Sequence, residues 1–237
     1  MLSSPPDRRS LRSDVSLAAC LAAIAGAANA IALRSTGVFA ANMTGNVSLT
    51  IDRAVARDWG PASLFAAMIA AFVFGALACA SVGYLGEARR WKRIHRVRLM
   101  AEAMAMALLG ALAVSIAQPE PRILCVGLGF LMGWQNALAT TVSAARARST
   151  HLSGIFTDIG IDLATLSMSN GSVASTRERL VISAATCLAF CVGAAVGVVA
   201  FLQMHAITLF GLAGSLGLLA IIDDPIHAIA SPLKRRR

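Results

Sequence analysis

The side chains able to do chemistry in this chain are few, and they fall into two sets. Asn29, Asn42, Thr44, Asn46, Gln135, Asn136, His151 and Ser153 offer donors and acceptors, the equipment for holding a small polar solute. Glu102, Asp158 and Asp162 are carboxylates that could carry a proton or coordinate a cation. Neither set forms a catalytic signature. The chain has no phosphate-binding glycine loop, no HExxH zinc pair and no GxSxG nucleophile turn. His151 and Ser153, two residues apart, would point to different faces of a helix and could not act as base and nucleophile. No enzyme, cofactor or metal site is expected. Cys20, Cys79, Cys125, Cys187 and Cys191 all fall inside apolar stretches without paired spacing or a nearby His, and they read as small packing residues.

The uncharged set gathers around two breaks. A polar, glycine-interrupted stretch runs from Phe39 to Ser48 between apolar flanks. Thr44, followed by Gly45 and Asn46, suits a helix N-terminus with its hydroxyl capping free backbone N–H groups. Ser153, Gly154, Thr157 and Asp158 start an equivalent short helix later in the chain. Val47, Leu49 and Ile51 make the first apolar enough to sit partly in a membrane. Non-helical backbone at membrane depth survives only where protein or a water-filled cavity satisfies it. Two such breaks therefore imply a polar interior, unless both are capped surface loops.

Asn29 and Asn136 lie inside apolar stretches, where a carboxamide needs a partner and points into the bundle. With Gln135 they line a binding site or serve as interhelical glue worth roughly 0.6 to 2 kcal/mol each. Glu102 follows Arg98 by four residues, so a structural ion pair competes with a proton relay there. Asp158 and Asp162, one turn apart, are a proton or cation site or the wet face of an interfacial helix. Asp223 and Asp224, beside Pro225, read as a solvated terminus.

Composition dictates the scaffold that must position these residues. The 237 residues are 57% apolar and 14% charged, with mean hydropathy +0.70, whereas a soluble domain is about half apolar and a quarter charged. Six stretches reach the roughly 20 mostly apolar residues that cross a bilayer as a helix, near residues 15–34, 62–85, 98–117, 122–145, 178–202 and 204–222. The expected fold is all-α and integral to the membrane: a six-span bundle with two short broken helices. A cytoplasmic tail of 1–14 precedes the domain of 15–222, and a basic cytoplasmic tail of 223–237 follows it.

The net charge of +9 would suit nucleic acid, but Lys and Arg in a membrane protein mark cytoplasmic loops. With these six spans, every Lys and Arg falls on one side except Arg34, Arg53, Arg57 and Arg122. That side holds Arg8, Arg9 and Arg12, the basic run over 89–98, Arg146, Arg148, Arg177, Arg179 and the run over 234–237. Both termini are expected in the cytoplasm, with lipid as the surroundings and no nucleic-acid partner. Turning the two short helices into full spans would carry the run over 89–98 outside, which excludes eight crossings. Arg8 to Ala30 also resembles a secretory signal with Ala28, Asn29 and Ala30 as its cleavage site. The same stretch returns in the second half of the chain, so cleavage is not expected.

That return is an internal repeat. Gly26, Asn29, Ala30 and Ala32 align with Gly133, Asn136, Ala137 and Ala139 at an offset of 107. Asn42 to Gly45 then faces His151 to Gly154 at 109, and Ala71, Phe72, Gly75 and Ala76 match Ala189, Phe190, Gly193 and Ala194 at 118. Repeat one covers 15–117 and repeat two 122–222. Each holds three spans, and an odd number makes the second copy enter from the opposite side, so the halves are expected to be inverted. Ala71, Gly75, Cys79 and Gly83 recur every four residues in span two, as do Ala185, Ala189, Gly193 and Gly197 in span five. Such stripes let helices approach closely, either against each other within one chain or as the seam of a homodimer.

The stretch Val38 to Asn46, preceded by Gly26, Asn29 and Ala30 and echoed by Gly133, Asn136 and Ala137, resembles the YoaK-like family of uncharacterised bacterial inner-membrane proteins. The resemblance runs from about Ala18 to Leu219. It implies a bacterial inner membrane and this span number, but no substrate. Where the family often has Asp in the first glycine-rich helix, this chain has Asn29. The functions expected are a small-solute transporter or permease with an unknown small-molecule ligand or, alternatively, a non-transporting membrane scaffold or regulatory protein.

Overall fold

Where water is absent, backbone N–H and C=O groups must pair within their own segment, and helices do this. A computed structural model of the protein describes residues 11–91, 93–115, 121–142, 151–169 and 173–222, and every regular element among them is helical. Of the residues singled out above, Arg8, Arg9, Lys92, Arg146, Arg148, Asp223, Asp224 and the run over 234–237 lie outside the described residues, as do most of the two tails.

The order is α1 Leu11–Thr36, α2 Met43–Val55, α3 Trp59–Ala88, α4 Ile94–Ser115, α5 Pro121–Val142, α6 Leu152–Met168, α7 Ala174–Met204, a 3₁₀ turn His205–Ile207, and α8 Thr208–Ile222. Five stretches are long and apolar enough to cross a membrane: Asp14–Thr36, Trp59–Ala88, Ile94–Ser115, Arg122–Thr141 and the 49-residue run Ala174–Ile222. The chain is an all-helical, multi-pass membrane protein. Unbroken, the last run would be about 74 Å long, against a hydrocarbon core of about 30 Å. It is divided at the 3₁₀ turn, where His205 takes φ +50° and ends α7.

Packing follows small residues. α1 lies along α7, α3 along α5 and α4 along α8, while α1 also meets α5, and α2 and α6 pack on α3 and α7. A Cβ on Gly75 would overlap the Phe130 carbonyl of α5, and one on Gly133 would overlap the Phe72 carbonyl of α3. Gly26 meets the Phe190 carbonyl of α7 in the same way, and Gly193 meets that of Ala23 on α1. In lipid no hydrophobic effect draws helices together, so this close backbone contact supplies much of the association. The two stripes therefore do not pack on each other, and Gly75 and Gly193 are covered within the chain: the first seats on α5, the second on α1. Around these contacts a buried cluster joins Leu21 and Ile31 of α1, Leu99 and Met106 of α4, Leu128 and Met132 of α5, and Leu209 and Leu216 of α8.

Candidate functional site

The first break folds back into the protein. After α1 ends at Thr36, Gly37 takes φ +76°, which glycine adopts without strain. The Ala41 N–H then donates to Asn29 Oδ1 at 2.9 Å. Asn29 precedes Thr36 by seven residues, about 10 Å of helix rise, so the segment 37–42 returns alongside α1. Ala40 is fully buried, and Val38 packs with Phe65, Met68 and Cys125. Asn29 thus positions the entry to α2.

The cap of α2 differs from the sequence expectation. Asn42, not Thr44, is the N-cap, and its Oδ1 accepts from the Gly45 N–H at 3.1 Å. Asn and Thr both cap well; here the chain turns helical two residues earlier, leaving Thr44 exposed within the first turn. Asn46 is 2% exposed, and its Nδ2 has no hydrogen-bond partner. In the second half α6 begins at Leu152 after the N-cap His151, whose side chain makes no capping bond. His151, Ser153 and Asp158 are exposed. The counterpart of Asn46 at the same offset is Ile155, which is also buried. The two short helices share a start but bury different chemistry.

Asp162 is not a vacant site. It is fully buried, and Arg179 of α7 grips it with Nε 3.0 Å from both oxygens and with Nη2 on Oδ1. This bidentate pair clasps α6 to α7. The partner lies 17 residues away on another helix, so helical spacing around Asp162 gives no sign of it.

The interior of the bundle is polar at α4 and α5. Gln135 is fully buried; its Nε2 donates to the Leu21 carbonyl of α1 at 3.3 Å, and its Oε1 has no partner. Asn136 is half-buried and donates to the Met132 carbonyl of its own helix at 3.0 Å. The position corresponding to Ala41 in this half lies outside the described residues.

Arg98 and Glu102 are 2% and 1% exposed, yet the ion pair expected between them is not formed. Arg98 Nε reaches Cys79 Sγ at 3.2 Å, and Nη2 donates to Thr141 Oγ1 at 2.9 Å. A Cβ on Gly83 would lie 3.2 Å from Nη1, so glycine makes room for the guanidinium. The Arg98 carbonyl accepts from Trp134 Nε1 at 3.1 Å. Neither oxygen of Glu102 has a hydrogen-bond partner. Arg98, Cys79, Thr141 and Trp134 thus form a connected group that local spacing could not assemble; its sequence signal is an Arg at the edge of an apolar stretch.

The structure therefore separates the candidates. Asn29 shapes the fold-back of 37–42, Asn46, Gln135 and Glu102 present buried polar atoms without partners, and Asp162 is consumed by Arg179. Asn42, Thr44, His151, Ser153 and Asp158 are exposed. No group of three or more His, Cys, Asp or Glu able to hold a metal occurs among the described residues.

Neither a curated protein nor a solved structure matches the chain. A family model does, over residues 17–222, nearly the extent of the resemblance noted in the sequence. The chain belongs to that family, described as Protein of unknown function (DUF1275).

Proposed function

We propose that the protein is a small-solute permease of a bacterial inner membrane, built as two inverted repeats of three spans with both termini in the cytoplasm. The carrying observation is that Asn46 Nδ2, Gln135 Oε1 and both Glu102 oxygens are buried without a hydrogen-bond partner, as Thr208 Oγ1 of α8 also is. Polar groups kept only for structure are paired, so atoms left open in a core point to a ligand. The solute is held by Asn46 and Gln135, with Asn29 setting the backbone of the re-entrant segment. Asn42, Thr44, His151 and Ser153 belong to the approaches.

The reciprocal helix contacts support the repeat. The Gly75 contact with Phe130 corresponds to that of Gly193 with Ala23 when the offsets of 118 and 107 are applied, and the Gly133 contact with Phe72 corresponds to that of Gly26 with Phe190. Inverted repeats with interrupted helices where they meet are typical of secondary transporters. Division of the run Ala174–Ile222 at the 3₁₀ turn supports six spans.

The test is flux. Purified full-length protein in liposomes is offered panels of neutral, anionic and cationic solutes. Saturable uptake that Gln135→Ala reduces supports the permease; no uptake across the panels favours the scaffold.

A further inference from the structure

Glu102 is the buried charge-bearing group that the packing leaves unexplained. Burying a carboxylate charge with no donor and no counterion is strongly disfavoured, so something must neutralise it. A metal cation is a poor fit. Metal cations with oxygen preference need several oxygen ligands, whereas the residues flanking Glu102 on the buried face of α4 are Leu99, Ala103 and Met106, and no cluster of metal-binding side chains is present among the described residues. Cys79, which meets Arg98 on α3, presents sulfur.

The surroundings narrow the choice of counterion. α4 packs on α3, α5, α8 and the 3₁₀ turn. From α3 the facing titratable group is Cys79; Tyr84 and Glu87 are exposed. α8 contains no titratable residue, and α5 contains only Arg122, exposed near its start, and Cys125, buried in the separate cluster with Phe65 and Met68. His205 of the turn is exposed and adjoins the far end of α4, where Leu209 meets Gly110. α4 itself carries His95 and Arg96, both half-buried and seven and six residues before Glu102, and Arg98, four residues away on the same helix face and nearest of the three along the helix.

We infer that Glu102 is a proton-binding site and that Arg98 is its switching counterion. In the structure described, the carboxyl holds its proton and needs no counterion, so Arg98 rests on Cys79 and Thr141. When the O–H bond breaks and the proton passes to water, the carboxylate remains, and Arg98 leaves Cys79 Sγ and Thr141 Oγ1 to pair with it; the guanidinium keeps its own protons. Trp134, bonded to the Arg98 carbonyl, registers the change on α5. As a coupling device for solute movement this rests on the permease reading; as a proton site it does not.

The experiment uses purified full-length protein in detergent without solute. Infrared difference spectra between acid and alkaline buffer should contain the carbonyl stretch of a protonated carboxylic acid, lost on alkalinisation and absent in Glu102→Gln. Gln mimics the protonated acid, so this variant should keep the parental melting temperature. In a Trp59→Phe, Trp91→Phe background, Trp134 emission should titrate with the same midpoint, and Glu102→Gln should abolish that titration. Should Glu102→Gln fail to fold, Glu102→Asp serves instead: it should retain the band at a shifted frequency and shift the Trp134 midpoint with it. A parent without the band, or a band and titration unmoved by both variants, overturns the proposal. Flux and this spectrum fail separately: flux without the band refutes the proton switch, and the band without flux refutes the permease.

Discussion

Gly75 on α3 lies directly against the backbone carbonyl of Phe130 on α5, with no space for a methyl group between them. Gly193 stands in the same relation to Ala23 of α1. Because the obstacle is backbone, no rotamer change makes room, and either Gly→Leu substitution must push the helices apart. Overpacking typically costs about 1 to 3 kcal/mol, and these two sites belong at or above the upper end. Gly75→Leu and Gly193→Leu should each lower the melting temperature of the monomer in detergent. Gly214→Leu is the control, since a Cβ there meets nothing within 4 Å. A monomer that keeps its stability while a dimer dissociates would instead make the stripes a seam between chains.

The clasp between Asp162 and Arg179 predicts an asymmetry. The Asp162 side chain is 0% exposed and that of Arg179 is 58% exposed. Removing Arg179 strands a buried carboxylate, whereas removing Asp162 leaves a guanidinium that water can solvate. Breaking a buried pair from the wrong side costs about 3 to 5 kcal/mol, while exposed pairs contribute about 1 kcal/mol or less. Arg179→Ala should therefore destabilise more than Asp162→Ala in thermal melts, and the double variant Asp162→Asn with Arg179→Ala should recover part of the loss. Equal losses would mean that the clasp carries no directional burial.

Apolar length alone makes the spans legible along the chain. The stretch near 62–85 falls on α3, the described part of that near 122–145 falls on α5, and the boundary between 202 and 204 lands beside the 3₁₀ turn His205–Ile207. Contacts between helices are not legible in that way. The spacing of Arg98 and Glu102 permits a pair, but Cys79 and Thr141, 19 and 43 residues from Arg98, decide where the guanidinium rests. Asn42 and Thr44 are both good caps, and only the fold-back of 37–42 selects Asn42. The glycine stripes announce close approach, yet nothing along the chain says that α3 meets α5, and α7 meets α1.

The charge distribution makes the topology testable. If the connection after α4 is external and the one after α3 internal, alkaline phosphatase fused after Gln118 should be active and the same enzyme fused after Trp91 inactive. The reverse pattern would overturn the orientation, and activity at neither position would remove the external connection from the scheme.

Asn29 offers the sharpest test of the fold-back of 37–42. Its Oδ1 accepts from the Ala41 N–H, and this bond draws the chain back along α1. Only an acceptor oxygen at that place is needed, and the carboxylate of Asp supplies one as the carboxamide does. Asn29→Ala removes the acceptor and leaves a part-buried N–H without a partner, a loss of about 1 to 3 kcal/mol. Asn29→Asp should keep most of the stability, and Asn29→Leu should behave like Asn29→Ala despite its similar size. The measurement is the melting temperature of each variant together with amide exchange at Ala41, which should speed up in the Ala and Leu variants and remain slow in the Asp variant. Slow exchange at Ala41 in Asn29→Ala would show that the fold-back is held by packing around Ala40 and Val38, and that Asn29 is free to serve the solute directly.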